Sequence, residues 1–88
     1  MKTAGKHVKA YVLIETAAGK AKAVKKAMSR IKGGPSTMVH LDGITGPYDF
    51  IAIVEGPSLD AIGRLVTDGI GTIDGVTRTT TCVAVAIG

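Results

Sequence analysis

The stretch GITGPYDFIAIVEG, Gly43 to Gly56, decides how the chain is read. Gly46 and Pro47 are turn residues, one free to adopt unusual backbone angles and the other fixed near a turn conformation. Tyr48 and Asp49 then lead into Phe50–Val54, a run with no polar member. Its β-branched and aromatic content predicts a strand over Tyr48–Glu55. A strand with one wet face alternates apolar and polar residues, whereas this one is apolar on both faces. A chain of 88 residues has room for one small core. The second apolar face therefore needs a cover from outside that core.

Working outward, VKAYVLIET (Val8–Thr16) has the same character. Val8, Ala10, Val12 and Ile14 line one face, and Tyr11 and Leu13 make the other apolar as well. From Gly19 to Ile31 the period changes: Ala21, Val24, Ala27, Met28 and Ile31 follow helical spacing, with lysines opposite. KGGPS ends that helix. Ser36–Asp42 is a poorer strand, with His40 and Asp42 on one side and Val39 and Leu41 on the other. Ser58 is placed to cap a second helix with Asp60 in its first turn. Leu59, Ile62, Leu65, Val66 and Ile70 form its expected buried stripe, and Gly69 and Gly71 its end. Gly75–Ile87, rich in threonine and valine, is the last strand.

The order strand, helix, strand, strand, helix, strand divides into two similar halves. It predicts an α+β, ferredoxin-like βαββαβ fold: a four-stranded antiparallel sheet with two helices on one face. Strands one and three are central in that topology, in keeping with their apolar character, and strands two and four are edges. Two helices cover one face only. The other is expected to be buried by a second copy, giving a dimer joined through its sheets. Residues 1–7 are read as a flexible tail and 8–88 as a single domain.

Composition narrows the classes. At 45% hydrophobic and 20% charged, the chain is a globular one. No apolar run is long enough for a membrane span, and the N-terminus does not read as a signal peptide. A lone cysteine, Cys82, suits a reducing, cytoplasmic setting, where it is expected to act as a small buried hydrophobe. Much of the net charge of +4 comes from Lys20, Lys22, Lys25, Lys26, Arg30 and Lys32, with no acidic residue between Gly19 and Gly33. A solvated helix face is the simple reading and contact with a polyanion the sharper one. Only three aromatic residues are available for base stacking.

No catalytic constellation emerges. His7 falls in the tail, and His40 lies on an edge strand without a nearby Cys or second His, so neither metal nor cofactor is expected. The glycines match no phosphate or dinucleotide loop. Asp42, Asp49, Glu55 and Asp74 form no pair of informative spacing. The turn Gly46-Pro47-Tyr48-Asp49 is the best site. As plain structure, its glycine and proline reverse the chain and its aspartate bonds nearby amides. As a ligand cup, amides around Gly46 and the Asp49 carboxylate would hold the two charged ends of a small amino acid. Thr79 and Thr81 add hydroxyls on one face of the last strand, where ordinary β-propensity also explains them.

Taken together, AYVLIET, ITGPYDFIAIVEG and GVTRTTTCVAV resemble the effector-binding (RAM) module of the Lrp/AsnC family, from about Lys9 to Val85. Its motif signature is the Gly-x-Tyr-Asp turn combined with Gly75-Val76-Thr77-Arg78-Thr79-Thr80-Thr81. The resemblance implies sheet-joined dimers assembling into octamers or decamers, with small effectors, mostly amino acids, in clefts between dimers. It points to Gly46, Tyr48, Asp49, Thr79 and Thr81 as cleft residues. Full-length family members carry a helix-turn-helix, and only about seven residues precede the first strand here. The expectation is a stand-alone sensing module, not an enzyme, that joins full-length regulators of the family and does not itself read DNA sequence. The alternatives are a small enzyme such as a monooxygenase on the same scaffold, or a structural or nucleic-acid-associated oligomer using the basic helix.

Overall fold

The computed structural model describes residues 7–31 and 34–87. The first six residues of the expected tail, and Lys32 of the basic run, lie outside them. Strand β1 spans Val8–Thr16, helix α1 Ala21–Met28, β2 Thr37–Gly43, β3 Phe50–Gly56, α2 Leu59–Arg64 and β4 Val76–Val83. The helical path of α2 continues through a wider π turn, Leu65–Gly69, and a tight 3₁₀ turn, Ile70–Thr72. All neighbouring strands are antiparallel, in the order β2-β3-β1-β4. This is the ferredoxin-like arrangement read from the sequence, with the two most apolar strands in the centre.

Register decides which residues each face receives. Ala10, Val12 and Ile14 lie opposite Val54, Ala52 and Phe50, and all six are buried. Val24 and Met28 from α1 close over them, with Ile62, Leu65, Val66 and Ile70 from the second helical segment. The other face pairs Tyr11 with Ile53 and Leu13 with Ile51. These four are only half-buried and are absent from the core cluster. The single chain thus leaves an apolar strip along the middle of its sheet, as the two-faced strands led one to expect.

Capping explains the helix boundaries. The Ser58 hydroxyl accepts the Ala61 N–H at 3.0 Å, and Asp60 sits in the positively polarised first turn. Lys20 gives α1 no side-chain cap. At its other end, the Arg30 and Ile31 N–H groups bond three residues back, to Ala27 and Met28, so the α-helix tightens and stops short of Ile31. Gly75 opens β4 with φ +100, a backbone angle that favours glycine. A Cβ there would stand 2.9 Å from Lys20 Cβ and 3.0 Å from Val24 Cγ2.

Four expectations need correction. Val39 and Leu41 do not share a face, because a bulge between Met38 and His40 resets the alternation. Met38 and Leu41 pack against the core, and Val39 is 49% exposed. Leu59 is 55% exposed, since it precedes the part of the helix that lies over the sheet. β4 ends at Val83; Ala84 still bonds Lys9 O, but Val85 and Ile87 extend past it and are exposed. Cys82 is not buried: its register partner is Tyr11 on the uncovered face, so in the single chain the thiol is exposed.

Candidate ligand-binding site

The Gly46–Asp49 turn joins edge strand β2 to central strand β3 and is anchored on β1. Gly46 adopts φ +132, which a side chain would strain. The Ile44 N–H bonds Asp49 O at 2.9 Å and closes the loop, and the Asp49 N–H bonds Ile14 O at 2.8 Å and carries the ladder one step beyond β3. Asp49 then reaches back to β1. Its Oδ2 accepts the Thr16 N–H at 2.7 Å and the Thr16 hydroxyl at 3.0 Å. Both recorded side-chain bonds of Asp49 are therefore structural, in line with the plain reading of this turn.

Tyr48 takes the opposite role and faces outward across β1. Its hydroxyl lies 2.7 Å from the Thr80 hydroxyl of β4. The Arg78 guanidinium sits over its ring, 5.1 Å from the centroid, at a distance where cation and ring attract. Thr80 lies opposite Leu13 and Arg78 opposite Glu15, so both belong to the uncovered side of the sheet. Thr79 and Thr81 lie opposite Ile14 and Val12, which are buried under the helices. The five residues singled out from the sequence thus divide. Gly46, Tyr48 and Asp49 share one turn, and Thr79 and Thr81 flank the threonine that Tyr48 meets.

Thr16, Arg78 and Thr80 complete the arrangement and were not singled out. A run Thr79-Thr80-Thr81 offers identical hydroxyls to either face, and only register separates them. That register is itself shifted by an irregularity between Glu15 and Thr16. The one signal available was the length of Tyr48, which suits a polar partner two strands away.

Elsewhere, among the described residues, three pairs of titratable groups meet. His7 Nε2 lies 2.8 Å from Glu55 Oε1, and His40 Nε2 lies 2.9 Å from Asp42 Oδ2. Among the described residues no three such groups gather as a metal site would require. Lys22, Lys25 and Lys26 on α1 and Arg30 just beyond it are exposed, while Lys20, just before it, lies 3.4 Å from Asp74. No helix among the described residues is long and apolar enough to cross a membrane. A cavity of about 270 Å³ between the end of α1 and α2 is lined by Ile31, Ser36, Arg64, Leu65 and Asp68, among others. It lies away from the turn, and the buried Ser36 hydroxyl in its wall has no hydrogen-bond partner among the described residues.

The sequence matches the model of the Lrp/AsnC ligand binding domain over residues 9–87. No curated protein matches it. Solved structures do. TTHA0845 of Thermus thermophilus is 28% identical, superposes with a TM-score of 0.79, and the match covers 92% of this chain and 96% of that one. AsnC of E. coli, at 18% identity and a TM-score of 0.81, shares the fold over 99% of this chain but 59% of its own. A transcriptional regulator of Neisseria meningitidis, solved as a complex with L-Met, shares it at 18% identity and a TM-score of 0.71, over 90% of this chain and 50% of its own. A two-faced antiparallel sheet, a Gly-x-Tyr-Asp turn locked to its centre and a match along nearly the full sequence lead to one conclusion: the chain belongs to the Lrp/AsnC ligand binding domain family.

Proposed function

We propose that this protein is an oligomeric sensing module that binds a small amino acid, or a related metabolite, at a seam between subunits. The observation that carries the reading is the joining of the Tyr48 turn to β4. A hydroxyl pair and a cation–ring contact hold polar groups at the end of an uncovered apolar sheet face. Along that face Tyr11, Leu13, Ile51 and Ile53 offer a second copy an apolar surface, so a dimer would form through the sheets. The turn then falls beside the dimer contact, where further subunits wall the cup. Gly46 and Tyr48 of the turn, with Thr80 and Arg78 on the strand beyond, are its lining in this reading; Asp49 holds the turn in shape, and Thr79 and Thr81, expected from the sequence in the cleft, sit on the helix side of β4.

The mechanism is linkage. A ligand bound between subunits prefers the assembly that completes its site and shifts the population toward it. The output is a change of assembly size, or co-assembly with full-length regulators through the same sheet and seam. Catalysis has no part in it, and the site is the signal receiver.

Thermal denaturation against the twenty amino acids at millimolar concentration tests the reading, with methionine first because the Neisseria regulator was solved with it. At a hundredfold excess over Kd a ligand stabilises the folded form by about 2.7 kcal/mol. For a domain of this size that is a rise in Tm of about 10–20 °C. A selective rise for one or a few amino acids, with a ligand-dependent change in sedimentation, is the expected result. A flat screen together with a monomer that ligand leaves unchanged would refute the sensing role.

A further inference from the structure

We infer that Arg78 is the carboxylate anchor of this site and that Asp49 shapes the turn; the inference rests on the sensing role and assigns the effector's acid group to a residue. Asp49 Oδ2 accepts both the Thr16 N–H and the Thr16 hydroxyl, which turns the carboxylate back onto β1 and fixes its orientation. Arg78 is the opposite case. It is exposed, and among the described residues it enters no ion pair. Glu15, its register partner, is the obvious carboxylate for it, yet Glu15 turns away and accepts the Thr77 hydroxyl at 2.8 Å. The guanidinium lies instead over the Tyr48 ring. The ring takes no proton from it, so its N–H donors stay available while its position is fixed.

Donor counting points the same way. In the Tyr48–Thr80 pair one hydroxyl donates to the other, and the accepting hydroxyl keeps its own proton to offer outward. Beside the guanidinium the site therefore presents a further donor. The group that complements a fork of N–H donors with an adjoining hydroxyl is an acceptor-only, planar anion. A carboxylate meets that description and an ammonium does not. Recognition by this cluster accordingly selects the acid end of an amino acid, and 2-deamino acids bind where amino amides fail.

The test uses the whole protein, labelled with nitrogen-15, and titrates it with acetate and separately with methylammonium at constant ionic strength. The Arg78 Nε–H resonance, assigned by its loss in Arg78→Lys, is expected to shift with acetate and stay in place with methylammonium. The Tyr48 ring signals should shift with it, and should stop responding in Arg78→Ala. For any amino acid found by thermal screening, Arg78→Ala should bind about tenfold to a hundredfold more weakly, and Arg78→Lys should fall between it and the wild type. Far-UV circular dichroism establishes that Arg78→Ala is folded, and the wild-type titration needs no variant to be stable. An Arg78 signal that acetate leaves unmoved, or an Arg78→Ala protein that binds as tightly as the wild type, overturns the inference. The two proposals fail separately: acetate acting at Arg78 with no amino acid hit would sink the amino-acid reading and leave the anion anchor in place.

Discussion

Asp49→Ala separates the structural role of the turn's carboxylate from a ligand-holding one. The carboxylate accepts two bonds from Thr16, one from the backbone N–H and one from the hydroxyl. Hydrogen bonds to a charged group contribute about 1.5–3 kcal/mol each when buried, and this pair is only part-buried. Water reaches the vacated N–H in the variant, so the low end applies and the loss comes to about 2 kcal/mol. For a domain of this size that lowers Tm by about 8–16 °C. Thr16→Val removes the hydroxyl bond and leaves the N–H, and should cost about 1 kcal/mol. Because both variants break the same cluster, a double variant should lose less than the sum of the two. Melting curves at one fixed protein concentration measure this without any ligand, which keeps assembly from confounding the comparison. If Asp49→Ala melted within about 2 °C of the wild type, the clamp would be refuted. The carboxylate would then be free to hold a ligand's ammonium.

Three further substitutions test the frame around the site. Ile53→Glu, which puts a charge in the middle of the uncovered sheet strip, should leave a folded chain that sediments as a monomer; an unchanged assembly would show that the dimer contact lies elsewhere. Gly75→Ala meets both a positive φ and close contacts with Lys20 and Val24, and should lower stability by more than about 1 kcal/mol in denaturant titration; no change would mean the start of β4 yields easily. Ser58→Ala removes the cap bond to the Ala61 N–H and should cost about 1 kcal/mol, whereas Ser58→Asp should keep most of the stability.

The fold was legible because its cause is distributed over many residues. β1 and β3 carry apolar residues on both faces, which agrees with the central placement that the βαββαβ topology gives them. Ser58 could be read as a cap because capping is local chemistry. The site was legible in part. The turn announces itself through Gly46, Pro47 and Asp49, but its partners lie two strands away, and which of three adjacent threonines meets Tyr48 depends on register. Single events break the reading in the same way at β2, where the bulge after Met38 moves Val39 out of the core. A bulge adds one residue and reverses every later assignment of face, and no composition signal marks it.

The uncovered face and the site are one problem. Tyr48 crosses β1 to Thr80 on the same side of the sheet as Tyr11, Leu13, Ile51 and Ile53. Cys82 lies there as well, opposite Tyr11. A second copy that covers the apolar strip therefore approaches the ring of Tyr48 and the guanidinium of Arg78. Burial of that kind lowers the local dielectric and strengthens any pairing the guanidinium makes, while an unpaired guanidinium becomes costly there. If a second copy covers the strip in this way, assembly would raise the demand for an anion at Arg78, and an anion bound at Arg78 would favour assembly by the same free energy. In the proposed reading, that reciprocity would turn metabolite binding into a change of oligomeric state without moving a hinge. Sedimentation of the wild type and of Arg78→Ala in rising acetate checks it. The wild type should shift toward the larger species and the variant should not, and equal behaviour of the two would mean that ligand and assembly are uncoupled at this residue.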